Sequence, residues 1–153
     1  MVEAYPLHWP DGVPRSRSRS RSRFQVSPVR ARGSLIEAVR LCGGRGLVIS
    51  SNVELRRDGL PYANRRAPED PGVAVYFERG GRRLVFPCDA YREVHENMRA
   101  IALHLDAMRA MERYGVAEAA DRAFAGLQYL PPPAGAETTP TGRLTVPRLS
   151  PHA

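Results

Sequence analysis

The stretch VAVYFERGGRRLVFPC, residues 73–88, decides the fold. Its two halves are apolar runs of alternating pattern, and Gly80-Gly81 joins them. Such runs on either side of a two-residue glycine turn predict a β-hairpin, because glycine readily adopts the positive φ that tight hairpin turns require. One face of this hairpin would carry the apolar residues that need burial: Val73, Val75, Phe77, Leu84 and Phe86.

A long amphipathic helix is expected directly after the hairpin. Its apolar residues recur at spacings of four and three, which places them on one stripe: Val94, Met98, Ile101, Leu105 and Met108. Asp89 is the expected N-cap, and the helix should end at Tyr114-Gly115. A second, short helix is predicted over residues 117–127, AEAADRAFAGL.

Two elements are predicted before the hairpin. Ser34 and Glu37 form a capping box, which predicts a helix over LIEAVRLC, residues 35–42. GLVIS, residues 46–50, is typical of a short buried strand. We therefore expect an α+β domain: a small three-stranded sheet of antiparallel type with one β-hairpin, packed by a short N-terminal helix and a long C-terminal helix.

The two ends of the chain differ in composition from its middle. Residues 33–130 are predicted to form a single domain. Residues 1–32 are predicted to be an extended or disordered arm rich in Arg and Ser, in which Tyr5, Leu7 and Trp9 could lie along the core. Residues 131–153 are predicted to be a disordered, proline-rich tail. No long apolar run and no signal-like start occur, so we expect no membrane contact and a place in the cytoplasm.

The arm carries the net charge of the chain. All 23 basic residues are arginine; seven lie in residues 15–32 without any acid, and the other 16 match the 16 acidic residues. The core of the arm is RSRSRSRSRF, residues 15–24. Arginine binds phosphate bidentately and stacks on bases, and Phe24 could stack on an exposed base. The expected nucleic-acid-binding residues of the arm are Arg15, Arg17, Arg19, Arg21, Arg23, Phe24, Arg30 and Arg32.

Two other interpretations of the arm stay open: it could bind an acidic protein, or it could be a solvated tail without a role. The central loop, NVELRRDGLPYANRRAPEDPG at residues 52–72, adds further candidates because it interleaves cations with an aromatic and an amide side chain. These candidates are Arg56, Arg57, Tyr62, Asn64, Arg65 and Arg66. The alternative is that Asp58-Gly59 forms a turn and that the arginines pair with nearby acids.

Several kinds of chemistry are disfavoured. Without lysine there is no P-loop lysine and no Schiff-base lysine. Cys42 and Cys88 are far apart and belong to no CxxC pair, which favours two thiols over a disulfide or a zinc site. Asp58, Asp70, Asp89 and Glu93 could serve a metal-dependent nuclease, but turns and helix starts explain each of them. No catalytic residue, metal or cofactor is predicted.

A longer stretch carries a family resemblance. It runs from GLVISSNVELRRDGLP (residues 46–61) through DPGVAVYF (70–77) and CD (88–89) to NMRAIALH (97–104) and MERYG (111–115). In this order the motifs resemble the N-terminal region of poorly characterised bacterial and phage-borne J-domain-containing proteins, over roughly residues 5–130. The J-domain itself would begin after about Pro131, and the chain has no His-Pro-Asp sequence, so no Hsp70 coupling is expected. The resemblance implies a phage, prophage or plasmid setting and no mechanism.

Taken together, these patterns predict a small, non-enzymatic nucleic-acid-binding accessory protein encoded by a phage or mobile element. The arm would supply most of the affinity. The alternative is a protein-interaction module or inhibitor that acts on a host or phage protein, and a metal-dependent nuclease is less favoured.

Overall fold

The computed structural model describes residues 1–62 and 66–128 and two short strands beyond them. The elements are β1 (Val2–Ala4), α1 (Pro28–Leu41), β2 (Arg45–Ser51), β3 (Val73–Arg79), β4 (Arg82–Cys88), α2 (Val94–Arg113), α3 (Ala117–Gly126), β5 (Glu137–Thr138) and β6 (Leu144–Thr145). The tail predicted to be disordered lies outside the described residues apart from β5 and β6, which pair antiparallel with each other.

The main sheet has four strands in the order β1-β2-β3-β4. The pairings β2-β3 and β3-β4 are antiparallel, as predicted, but β1 adds a parallel fourth strand with Val2 opposite Val48 and Ala4 opposite Ser50. The prediction of three strands was therefore wrong by one edge strand. Three residues are too few to show the alternation that identifies a strand in a sequence.

The hairpin has the predicted register. Val75 pairs with Phe86 and Phe77 with Leu84, and all four side chains are buried on the face that the helices cover. Gly80 and Gly81 have φ values of 56° and 76°, the left-handed conformation that only glycine adopts without strain at two successive turn positions. The α+β class and the hairpin are thus confirmed.

The helices pack on that same face. The predicted stripe of α2 is buried at Met98, Ile101, Leu105 and Met108, and the helix ends at Arg113 before Gly115, which has a φ of 86°. α3 adds Phe124 to the same core. Burial of these side chains stabilises the fold by roughly 1.5–3 kcal/mol for each large residue.

The start of α1 differs from the prediction. The helix begins at Pro28 and not at residue 35, and the hydroxyl of Ser27 caps it by accepting from the Arg30 N–H at 3.2 Å. Ser34, the predicted N-cap, lies inside the helix. A Ser-Pro pair is a strong start signal, because proline at the first helical position lacks only an N–H that would be unpaired anyway. The boundary predicted between residues 32 and 33 therefore falls within a helix.

The opposite face of the sheet is covered by the N-terminal segment. Leu7 packs against Ala74, Tyr76 and Val85 there. The Tyr76 hydroxyl donates to the His8 carbonyl at 2.6 Å, and the His8 N–H donates to the Ser50 hydroxyl at 2.7 Å. The segment thus lies extended along the core, as its alternating apolar residues indicated. In the described part of the chain, no helix combines the length and apolar character needed to cross a membrane.

Candidate nucleic-acid interface

A buried carboxylate at the end of β4 organises the arm. Asp89 is only 4% exposed, and it accepts hydrogen bonds from the Arg15 guanidinium at 2.8 Å, the Ser16 hydroxyl at 2.6 Å and the Ser16 N–H at 3.0 Å. The prediction that Asp89 caps α2 was wrong. That helix starts at Val94 with Glu93 before it, and the Asp89 oxygens are engaged by the arm.

A second carboxylate holds the same arginines. Asp70 in the central loop contacts the Arg15 guanidinium, and the Arg19 guanidinium lies 3.5 Å from both Asp70 and Asp89. The Arg15 guanidinium also lies 4.5 Å from the centre of the Trp9 ring, a cation–π contact. Two cations and two anions thus form one network between segments that are more than fifty residues apart in the chain.

The backbone of the arm is fastened as well. The Ser20 N–H donates to the Ala90 carbonyl at 3.1 Å, and its carbonyl accepts from the Arg92 N–H at 3.2 Å. Farther along, the Ser22 N–H donates to a carboxylate oxygen of Glu96 at 3.1 Å. These contacts run from the end of β4 to the first turn of α2, and we call residues 15–27, which contain them, the arginine strap. It is a docked segment, which differs from the disordered arm that its composition predicted.

The electrostatics of Asp70 and Asp89 follow from these contacts. Burial alone would raise the pKa of Asp89, but hydrogen bonds from Ser16 and Arg15 more than offset it, so its pKa lies below the usual value. The pKa of Asp70 is lowered in the same way: burial opposes ionisation, and the Arg15 guanidinium and the Gly72 N–H outweigh it. Both carboxylates are therefore ionised at neutral pH.

The structure divides the arginines of the strap and of α1 into two groups. Arg15 and Arg19 face Asp70 and Asp89, and Arg32 pairs with Glu3 of β1 at 2.8 Å. The second group is exposed and has no ion-pair partner among the described residues: Arg17, Arg21, Arg23 and Arg30. Carboxylates thus engage the first group, and the second group lies at the surface.

Phe24 is not fully exposed to solvent. It is half-buried and meets the Tyr91 ring edge-on, with 5.4 Å between the ring centres. Beside it lies a cavity of about 480 Å³, which also contacts Val26, Arg30, Ser34, Arg99 and Leu103. Arg99 and Leu103 were not singled out in the sequence, because a single arginine and a single leucine outside the apolar stripe of a helix carry no local signal.

The central loop contains a turn at Asp58-Gly59. Gly59 has a φ of 81°, the Asp58 side chain accepts from the Leu60 N–H at 3.1 Å, and Arg56 pairs with Asp58 at 3.1 Å. These contacts agree with the turn interpretation of this part of the loop. Arg57 is exposed and has no ion-pair partner among the described residues. Asn64 and Arg65 lie outside them.

Tyr62 and Arg66 border a larger groove of about 810 Å³ between the loop and the first turns of α1 and α2. Arg32 and Arg56 also line it, together with the carboxylates of Glu54 and Glu93. Its apolar lining includes Val29, which is 79% exposed, and Leu60, which is 50% exposed. This groove therefore mixes cations, anions and exposed apolar side chains.

Catalytic alternatives gain no support from the described residues. In residues 1–62 and 66–128, no group of three or more His, Cys, Asp or Glu side chains could hold a metal ion. Cys42 and Cys88 are free thiols, and burial raises the pKa of both. A thiol with a raised pKa is a poor nucleophile at neutral pH.

No protein-family model, curated protein or solved structure matches the chain. The resemblance to the N-terminal region of J-domain-containing proteins therefore stays a prediction, and the function must be inferred from the chemistry of the surface itself.

Proposed function

We propose that the protein is a non-enzymatic accessory protein of a phage or mobile element that binds nucleic acid through the arginine strap, in the cytoplasm of a bacterial host. The observation that carries this proposal is the division of the arginines. Arg15 and Arg19 are held by buried or half-buried carboxylates, while Arg17, Arg21 and Arg23 are exposed on the same fastened segment.

A fastened row of arginines has a physical advantage over a free one. A disordered polycation loses conformational entropy when it binds, and this loss lowers its affinity. A strap whose backbone is hydrogen-bonded at Ser16, Ser20 and Ser22 has already lost most of that entropy during folding. The exposed guanidinium groups then bind phosphates and release counterions, which makes the affinity fall as salt rises.

The sheet offers a matched control for testing this proposal. The strap docks beside Asp89, at the end of β4 where Val73 pairs with Cys88. Arg82 and Arg83 lie at the other end of the hairpin, about 20 Å away along seven residues of strand. Arg45 lies at that end too, opposite Glu78 in the strand register. All three are exposed. Removing them lowers the net charge by the same amount as removing Arg17, Arg21 and Arg23.

The experiment compares these two triple variants by fluorescence anisotropy with labelled DNA and RNA of 20 nucleotides or base pairs. The slope of log K against log salt is negative, and each lost phosphate contact reduces its magnitude by about 0.9, so R17Q/R21Q/R23Q should reduce that magnitude by roughly 2 to 3. R45Q/R82Q/R83Q should change the slope by less than about 1. Equal slopes for the two variants would contradict a strap-specific interface and leave only a general effect of net charge.

A second candidate is a protein-interaction module, which the groove beside the central loop favours. Val29 and Leu60 are large apolar side chains at the surface, and Arg56 and Arg66 flank them. A partner segment with apolar and acidic side chains would complement this lining. If the wild type binds no nucleic acid, the wild type and V29D/L60S should each be immobilised, and the host proteins that each captures from lysate should be compared. A partner retained equally by both would rule out this groove.

A further inference from the structure

The cavity beside Phe24 differs in charge from the larger groove. Two cations line it, Arg30 from α1 and Arg99 from α2, and no carboxylate lines it. The larger groove, in contrast, contains Glu54 and Glu93. Neither Arg30 nor Arg99 has an ion-pair partner among the described residues. Two guanidinium groups without a neutralising acid favour an anionic ligand.

The rest of the lining is uncharged: Gln25 and Ser34 are polar, and the other three side chains are apolar. Phe24 and Val26 belong to the arginine strap, and Leu103 extends from α2 with 38% of its surface exposed. The apolar core already contains the opposite stripe of that helix, so Leu103 contributes little to folding. A ligand for this cavity should therefore combine a negative charge with a flat apolar surface.

The position and size of the cavity narrow the choice of ligand. The strap residues that line it directly follow Arg21 and Arg23 in the chain, so a strand whose phosphates contact these two arginines would reach the cavity next. Its volume of about 480 Å³ is within the range of small-ligand pockets, which suits one nucleotide and not a double helix. A base inside a duplex has both faces covered by its stacked neighbours, and only an unpaired base can present a free face to an apolar wall.

We propose that this cavity is a subsite for one unpaired nucleotide of a single-stranded nucleic acid. The proposal rests on the proposed function, because the strap holds the neighbouring phosphates. Arg30 and Arg99 bind the phosphate of the nucleotide, and its base packs on Phe24, Val26 and Leu103. The interface then prefers single strands over duplexes without reading a particular sequence.

The test uses three fluorescein-labelled probes at one salt concentration: a 12-nucleotide thymidine strand, an abasic strand with the same number of phosphates, and a 12-base-pair duplex. The thymidine strand should bind about tenfold more tightly than the abasic strand, since stacking of one base on an apolar wall contributes about that factor. It should also bind more tightly than the duplex. Equal affinity for the thymidine and abasic strands would overturn the subsite and leave strap binding intact.

Variants of the cavity separate its role from that of the strap. L103S should remove the preference for the thymidine strand without changing the salt slope. R99Q should also remove the preference, and it should reduce the magnitude of the salt slope by about 1 because a phosphate contact is lost. L41S is the matched control, because Leu41 is 41% exposed at the other end of α1. If L103S keeps the preference while remaining folded by circular dichroism, the subsite is wrong. If no probe binds the wild type, the subsite and the proposed function both fail.

Discussion

Asp89 carries a negative charge in a nearly buried position, and its neighbours explain why the fold tolerates it. A buried carboxylate is costly unless it is paired and hydrogen-bonded. Here a guanidinium, a hydroxyl and a backbone N–H, all from Arg15 and Ser16, supply what water would otherwise supply. The serines of the strap thus have a structural role: Ser16 contributes both its side chain and its backbone, while the neighbouring arginine contributes charge.

Neutralising this carboxylate should cost stability. Asp89→Asn leaves the Arg15 guanidinium without one of its counterions and weakens the bonds from Ser16. Because Arg15 is itself partly exposed, the loss should be about 2 kcal/mol, below the value for a fully buried pair. The free energy of unfolding by urea at pH 7 measures it.

The control for Asp89→Asn is Glu118→Gln, which removes the same charge from a pair that is exposed on both sides. That change should cost less than about 0.5 kcal/mol. Similar losses in the two variants would mean that the docking of the strap on Asp89 contributes little to stability.

Acid should release the strap. The pKa values of Asp70 and Asp89 are lower in the folded protein than the unfolded value of about 3.9, so their stabilisation is complete above that pH and is lost as the pH falls through the folded values. Trp9, the sole tryptophan, reports the change because Arg15 lies over its ring. Its fluorescence should be constant from pH 7 to about pH 4 and change below it. A transition centred near pH 6 would contradict this assignment.

At the scale of elements, local signals decided some features and distant contacts decided others. The hairpin register and the buried stripe of α2 were predictable, because alternation and helical spacing are read within one segment. The docking of the strap was not, because Arg15 meets Asp70 and Asp89 across 55 and 74 positions of the chain. Composition alone favoured disorder for the strap, and tertiary contacts overrode it.

The start of α1 is a case in which two local signals competed. The capping box at Ser34 and Glu37 and the pair Ser27-Pro28 each predict a helix start, and the structure has the second. Gly33 inside the helix costs roughly 1 kcal/mol relative to alanine, and the burial of Ala31 and Leu35 on either side of it offsets that cost.

Two serine substitutions distinguish these starts. Ser27→Ala removes the observed cap and should destabilise the protein by about 1 kcal/mol. Ser34→Ala, which replaces a residue inside the helix, should change the stability by less than about 0.5 kcal/mol. Urea unfolding of both variants gives the comparison. A larger loss of stability for Ser34→Ala than for Ser27→Ala would mean that the helix starts at Ser34.

For the whole molecule, the separation of charge was predictable but its geometry was not. The formal net charge of +7 equals the number of arginines in residues 15–32, and the remainder of the chain is balanced. The sequence could not show that three of the seven would be used in ion pairs, with Asp70, Asp89 and Glu3. Nor could it show that Arg99 and Leu103 would face the end of the strap, since that depends on how α2 packs on α1.

Hydrogen exchange at the serine amides of the strap tests the central claim most directly. In the free protein at neutral pH, the amides of Ser16, Ser20 and Ser22 should be protected, because each donates a hydrogen bond to a fixed acceptor. Ser18 is the internal control: it is exposed and its N–H has no acceptor among the described residues, so it should exchange fast. Fast exchange at all four serines would contradict the docked strap and return residues 15–24 to the status of a disordered tail.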